Sequence, residues 1–410
     1  MSSVAAQDLK SRFELKELQL NALLEVTQAI NNNLPEESLF KIFNFTLRSN
    51  LRVKKLAYYL FDEYWSCKVS FGTKQNFAKK KVDEVFTTLT DVHRMPETAD
   101  GDFAEFELVI PVTHQRTTLA LVFVSGMDTD SGPLEKNDSV RFVQALSNIL
   151  TVAIENKKLV RRQLEQEALR KELEIASDVQ QFLFPEKLPY TDRLMVEASY
   201  LPHDRVGGDY YDYIPINKNQ FLICVADVSG KGVPAALMMS NFQASLRTLL
   251  RQTPNLTEIV EALNYQVLEN TKGENFITFF GAIYDISLRT LVYVNSGHNP
   301  PMLVDKQNGL RLLEEGSTVL GAMHPLPFLH EGFITDLSDF YLLCYTDGLT
   351  ETVNEQGLEY GAARLSKYIE GNHHKDLKTI HQDLIVDLDT FKGRNGYRDD
   401  ITLLSCRVVP

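Results

Sequence analysis

The sequence predicts an α+β protein in three parts, because three kinds of pattern follow one another along its 410 residues. The first third mixes helical spacing with antiparallel strand-like runs. From Asp138 to Phe184 there is neither Pro nor Gly, and Pro185 ends the run, which predicts one long helix. The remainder turns to short apolar runs separated by glycine- and acid-rich turns. The boundaries fall at 1–150, 151–185 and 186–410.

Bulk composition narrows the function classes. The chain is 44% hydrophobic and 24% charged, as expected of a soluble globular protein. A net charge of -13 opposes a general nucleic-acid or anionic-membrane surface. No apolar run approaches the length of a membrane span, and the first residues carry no basic segment followed by an apolar one. Cys67, Cys224, Cys344 and Cys406 lie far apart with no Cys-x-x-Cys pair, so reduced thiols are expected rather than zinc or a disulfide. These features together predict a cytoplasmic protein.

In the first part, Leu15, Leu18, Leu23, Leu24, Val26 and Ile30 predict a helix over 9–30, and a second follows over 36–47. Strands are predicted at 54–61, 67–72, 103–112 and 117–124, the last two joined by His114-Gln-Arg, with a helix beginning around Glu135. The order helix, helix, antiparallel sheet, helix over about 10–155 resembles a GAF domain, a small sensor module. The resemblance implies either a small ligand or a partner domain. The residues carry no ligand signature: His93 and His114 are isolated, and no cysteine is placed as an anchor.

In the long helix, Leu146, Ile149, Ala153, Asn156 and Val160 fit alternating spacings of three and four. So do Leu169, Leu173, Ala176, Gln180 and Leu183, out of phase with the first set across a charged break at 161–167. This pattern resembles a parallel dimeric coiled coil with a discontinuity. A helix packed on its own domains is the competing reading.

In the last part, strands are predicted at 195–200, 209–216, 221–227, 277–286, 291–296, 340–346 and 401–409, with two helices at 233–251 and 256–270. Acids stand at strand ends in four motifs: Val206-Gly-Gly-Asp209-Tyr-Tyr-Asp212, Ala226-Asp227-Val-Ser-Gly-Lys-Gly232, Tyr345-Thr-Asp347-Gly348 and Arg398-Asp399-Asp400-Ile-Thr402. One such motif is an ordinary turn. Four converging carboxylates repel one another unless cations neutralise them. Oxygen-only donors select Mg²⁺ or Mn²⁺.

These motifs, in this order and spacing, resemble the PPM-type (type 2C-like) metal-dependent Ser/Thr phosphatases. They are most similar to the bacterial branch of the sporulation stage II phosphatase and the sigma-factor regulators. Leu173–Pro185, Ser296-Gly-His-Asn-Pro-Pro301 and Asp347-Gly-Leu-Thr-Glu351 extend the likeness over about 173–409. The resemblance implies an α-β-β-α sandwich and two divalent cations, Mn²⁺ or Mg²⁺. It implies Asp209 as one ligand, Asp227 as the bridge with the Val228 carbonyl beside it, and Asp347 and Asp399 at the second ion. Asp400 is expected to be structural and Asp212 supporting. The implied substrate is a phosphoserine or phosphothreonine on an anti-sigma-factor antagonist.

The turn Val228–Lys231 lacks the His that the eukaryotic branch carries there, so no general acid is assigned. Arg205 is a phosphate-binding candidate by proximity alone. His298, Lys231 and Glu351 are read as turn or cap residues before active-site ones. Two other classes stay in view. Gly207-Gly-Asp-Tyr-Tyr211 resembles the diguanylate-cyclase signature but has Tyr210 where that signature has an acid, and it leaves three acids unused. A non-catalytic phosphatase-like scaffold has no physical need for mutually repelling carboxylates.

Overall fold

The computed structural model describes residues 2–50, 53–95, 101–114, 117–127 and 137–410, and the chain divides into two units, Met1–Glu167 and Ala168–Pro410. The first contains α1 (Ser2–Asn31), α2 (Glu36–Asn50), β1 (Lys55–Phe61), β2 (Trp65–Phe71), a short α3 (Glu84–Thr87), β3 (His93–Arg94), β4 (Leu108–His114) and β5 (Thr117–Ser125). It also contains the first part of α4 (Asp138–Gln181). Its strands form one antiparallel sheet in the order β2-β1-β5-β4-β3.

Strand alternation gives this sheet two different faces. Leu56, Tyr58, Leu60, Ile110, Val122 and Val124 pack with Val26, Phe43, Leu47, Leu146, Leu150 and Ile154 of the helices. Tyr59, Phe77, Phe103, Phe106 and Phe123 fill the other face, with the Phe103 and Phe123 rings stacked at 4.3 Å. The strand expected from Phe103 therefore begins only at Leu108. Residues 103–106 form turns that deliver Phe103 and Phe106 onto the aromatic face. Gln115 and Arg116 of the expected hairpin turn, and the expected helix start at Glu135, lie outside the described residues. Asn137 caps α4, its side chain accepting from the amides of Ser139 and Val140.

Part of the apolar series read along α4 meets its own units. Leu146 and Ala153 are buried and Ile149 packs on the core of the first unit. Gln180 is buried, and Leu183 and Phe184, just past the helix, pack on a core of the second. Val160 and Leu169 of the same series are exposed, as are Leu159, Leu164, Ile175, Val179 and Phe182.

The second unit continues with β6 (Leu194–Leu201), β7 (Tyr210–Pro215), β8 (Gln220–Val228), α5 (Gly232–Gln252), α6 (Leu256–Thr271), β9 (Ile277–Asp285), β10 (Thr290–Ser296) and β11 (Met302–Asp305). It ends with β12 (Gly309–Leu312), β13 (Gly316–Ser317), β14 (Gly332–Ile334), β15 (Phe340–Tyr345), α7 (Asp347–Thr350), α8 (Ala362–Asn372), α9 (Leu377–Lys392) and β16 (Ile401–Val408). One sheet runs β13-β10-β9-β8-β7, with β14 on β10; the other runs β12-β11-β15-β16-β6.

Four layers result. Val225, Phe280, Tyr293, Leu342, Cys344 and Leu404 form the core between the sheets. Leu222, Cys224 and Ala226, on the opposite face of β8, pack under Met239, Phe242 and Leu246 of α5 and Ile259 and Leu263 of α6. Leu343, Tyr345 and Leu403 pack under Leu365 of α8 and Ile380, Leu384 and Leu388 of α9. Each such large side chain, fully buried, contributes roughly 1.5–3 kcal/mol. Sequence reading expected two helices here, and α7, α8 and α9 add to them. The signal for α9 was present: Ile380, Leu384 and Leu388 stand four apart, and Asp376 caps the helix by accepting from the Thr379 amide. All four cysteines are free, three of them buried.

Candidate active site

Pleat parity decides which acids meet. On β8, Phe221, Ile223 and Val225 point between the sheets, so Asp227, at the same parity, ends that row. On β7, Tyr211 and Tyr213 pack against the same inter-sheet core, and Asp209, just before the strand, keeps that parity. On the facing sheet, Asp347 opens α7 directly after β15, and Asp399 and Asp400 directly precede β16. Four sequence-predicted acids thus stand at one end of the sandwich, two from each sheet.

The Asp209 carboxylate crosses the gap. Its Oδ2 accepts from Thr346 Oγ1 at 2.8 Å and Thr402 Oγ1 at 2.5 Å, and Thr346 Oγ1 in turn accepts from the Thr402 amide at 2.9 Å. Both threonines lay inside the quoted motifs and were passed over, although strand alternation places each on the inter-sheet side. Asp400 Oδ1 accepts from the His203 amide at 2.7 Å and Oδ2 from the Gly208 amide at 2.9 Å. It fixes the loop that carries Asp209.

The glycines around these acids leave no room for a side chain. A Cβ at Gly207 would lie 2.1 Å from Asp400 Oδ2, and one at Gly348 would lie 2.0 Å from the Asp400 carbonyl. A Cβ at Gly208 would lie 2.9 Å from the Val228 carbonyl oxygen, which places that oxygen against the Asp209 motif.

Charge crowding is visible in the acids' proton affinities. Burial, then the charges of Asp347, Asp399 and Asp400, push Asp227 up to about 8. Burial and the neighbouring Glu351 and Asp399 raise Asp347 to about 6. Asp209 is also raised, by burial first and by Asp227 second. The Lys231 ammonium lies 2.7 Å from Asp399 Oδ2 and also donates to the Arg398 carbonyl. Tyr200 Oη is buried beside this group with no hydrogen-bond partner, and the Asp400 and Asp209 charges raise its pKa further after burial.

Among the described residues, no three of these side chains already close on one point as a coordination shell. They nevertheless suit a divalent cation: the donors are all oxygen, glycines hold the backbone close, an orphaned hydroxyl faces the group, and an ammonium already stands among the acids.

Other singled-out residues go elsewhere. Asp212 has the opposite parity from Asp209 and is fully buried on the helix side. There it pairs with Arg247 of α5 at 2.8 and 3.0 Å and accepts from Tyr210 Oη, so it does not support the acid cluster. Arg205 donates to Glu174 of α4 at 2.5 Å. His298 is buried between the sheets, with Nδ1 2.8 Å from Thr278 Oγ1 and Nε2 3.1 Å from the Tyr345 carbonyl. Nε2 must therefore carry the proton, and burial holds the ring neutral, at about 4. Sequence reading missed Gln180, whose amide both donates to the Gly207 carbonyl at 2.8 Å and accepts from the Gly207 amide at 3.2 Å.

Comparison with known proteins gives consistent matches. A family described as Stage II sporulation protein E (SpoIIE) matches residues 217–409. The chain is 31% identical over 247 residues to phosphoserine phosphatase RsbU of Bacillus subtilis, spanning 59% of this chain and 71% of that protein. It is 26% identical over 186 residues to phosphoserine phosphatase RsbP of the same organism, spanning 44% and 46% respectively, so it covers less than half of that relative. The SiaA-PP2C domain of Pseudomonas aeruginosa shares the fold, with a TM-score of 0.53 at 20% identity over 59% of this chain and 98% of that domain.

Proposed function

As the chain belongs to the family of SpoIIE- and RsbU-type serine phosphatases, we propose that it hydrolyses phosphoserine or phosphothreonine on a protein with two divalent cations, Mn²⁺ or Mg²⁺. The observation that carries this reading is the meeting of oxygen-only acids from two sheets, with Asp227 pushed up to about 8 by burial and by its acidic neighbours. Asp209 and the Val228 carbonyl would hold one cation and Asp347 and Asp399 the other, with Asp227 shared between them. When bound, such cations lower the pKa of water and neutralise charge on the phosphoryl oxygens.

The chain's own groups do the rest. Thr346 and Thr402 fix the Asp209 carboxylate. Asp400 holds the amides of His203 and Gly208, so that the Asp209 loop keeps its place. Neutral His298 ties Thr278 to the Tyr345 carbonyl and exchanges no proton near neutral pH.

The first unit is read as a GAF-like regulator: its antiparallel sheet with helices on one face supports this. The aromatic filling of the other face favours a partner or dimer signal over a small ligand there. The exposed Leu159, Leu164, Leu169, Ile175, Val179 and Phe182 supply apolar surface for a homodimer through α4 as a coiled coil. The substrate is read as a phosphorylated anti-sigma-factor antagonist, in the cytoplasm. Among the described residues no helix is long and apolar enough to cross a membrane.

The test is Mn²⁺-dependent release of phosphate from a phosphoserine protein and from p-nitrophenyl phosphate. Asp227→Asn and Asp347→Asn should each abolish turnover while leaving the circular dichroism unchanged. Normal turnover in both variants would sink the site assignment. Sedimentation of the full chain at micromolar concentration tests the dimer, and a monomer there removes it.

A further inference from the structure

We propose that the Lys231 ammonium is a built-in cation that holds Asp399 in the metal-free enzyme and must leave when a divalent ion takes the Asp347–Asp399 site. The inference rests on the reading above that these two acids share one ion.

Three observations carry it. Lys231 Nζ sits 2.7 Å from Asp399 Oδ2 and donates as well to the Arg398 carbonyl, so it is anchored on the ligand segment itself.

Second, Lys231 is the N-cap residue of α5 with extended backbone and no side-chain capping bond. A cationic side chain is the wrong sign for the positive end of a helix, and Asn, Asp or Ser would cap it better. The helix gains nothing from a lysine here; the acids do.

Third, one carboxylate oxygen cannot hold two cations without strong repulsion, and Asp399 Oδ2 already has the ammonium at 2.7 Å. Mg²⁺ and similar ions keep several waters in their shells. Loading the site therefore requires the flexible lysine stem to swing out, and the side chain, 49% exposed, is free to do so.

The consequence is a threshold. Lys231 quiets the acid pair when no ion is present and competes with the ion for Asp399, which weakens affinity at this position. Because the pair is partly exposed and screened, the effect should be about two- to fivefold.

Calorimetric titration of EDTA-stripped full-length protein with MnCl₂ tests this through stoichiometry and Kd, without reference to activity. Lys231→Met, which keeps the apolar stem, should tighten the weaker Mn²⁺ site about two- to fivefold. Lys231→Arg, which keeps the charge and grips a carboxylate with two donors, should match wild type or bind more weakly. Asp399→Asn should lose one ion per chain. If Asp399→Asn keeps full stoichiometry, the two-ion reading falls and the proposal with it. If Asp399→Asn loses an ion while Lys231→Met binds no tighter than wild type, or Lys231→Arg tightens as much as Lys231→Met, the proposal alone falls. Far-UV circular dichroism of each variant confirms that a changed Kd is not unfolding, and the exposed stem makes loss of the fold an unneeded explanation.

Discussion

Replacing Asp227 by Asn should stabilise the metal-free protein, against the usual cost of altering a buried polar residue. Burial and three neighbouring acids raise Asp227 from its ordinary 3.8 to about 8. A carboxyl whose folded-state pKa is raised holds its proton more firmly in the fold than in the unfolded chain. Its contribution is fully present below the unfolded value and is lost as pH rises through the folded one. The window thus runs from about pH 4 to about pH 8.

Each pKa unit is about 1.4 kcal/mol, so at pH 7 the loss from Asp227 is on the order of 4 kcal/mol. A change of 1 kcal/mol moves the midpoint of a unit this large by about 2–4 °C, so the gain for Asp227→Asn is on the order of 10 °C. Differential scanning calorimetry in EDTA from pH 5 to pH 8 should show wild type melting progressively lower. Asp227→Asn should fall less steeply, since Asp209 and Asp347 still titrate, and should cross above wild type near neutrality. Adding Mn²⁺ should reverse the order, because wild type alone keeps the carboxylate between the two sheets. A flat wild-type profile in EDTA, or a variant running parallel to it, refutes the reasoning.

Two further outcomes follow from the polar groups set apart from the acids. Arg247→Ala leaves the fully buried Asp212 without its two guanidinium bonds and should cost about 3–5 kcal/mol in urea unfolding. Turnover per folded molecule at low temperature should survive; loss of turnover in fully folded protein contradicts the placement of Asp212 outside the site. His298→Gln should lower the melting temperature by removing the link between Thr278 and the Tyr345 carbonyl, at about 1–3 kcal/mol. With the ring held at about 4, it should leave the shape of the pH–rate profile between pH 5 and 8 unchanged, and a missing limb would falsify the neutral, structural role.

Much of this could be read from the chain before its folding was known. Strand ends carrying Asp209, Asp227, Asp347 and Asp399 are legible because an acid at the edge of a run of buried residues is out of place, and the runs themselves carry strand length and apolarity. Asp212 was harder. Three residues separate it from Asp209, and only the regular pleat, fixed by pairing Tyr210 with Ala226 and Asp212 with Cys224, settles that it faces α5. Thr346 and Thr402 were on the page but unremarkable, since a threonine in a strand is ordinary until its partner across the gap is known. Gln180 was read as one position in a heptad series. Its hydrogen bonds to Gly207 span 27 residues, and nothing local announces them. The long helix is legible only in part for a related reason: heptad spacing states that a face is apolar, but not what covers it.

The apolar core of the sandwich stops short of the end where the acids lie. Beyond Val225, Cys344 and Leu404, polar ties join the layers, among them the imidazole between Thr278 and Tyr345 and two threonine hydroxyls reaching for one carboxylate. Dispersion forces change little when packed layers slide by a few tenths of an ångström; hydrogen bonds at 2.5–2.8 Å do not tolerate it. The gauge that fixes how far apart the two acid pairs stand is therefore this short hydrophilic seam. Slippage too small to disturb the hydrophobic interior would register first as a change of spacing between carboxylates. The molecule carries its most distance-sensitive chemistry at the place where its layers are least firmly glued.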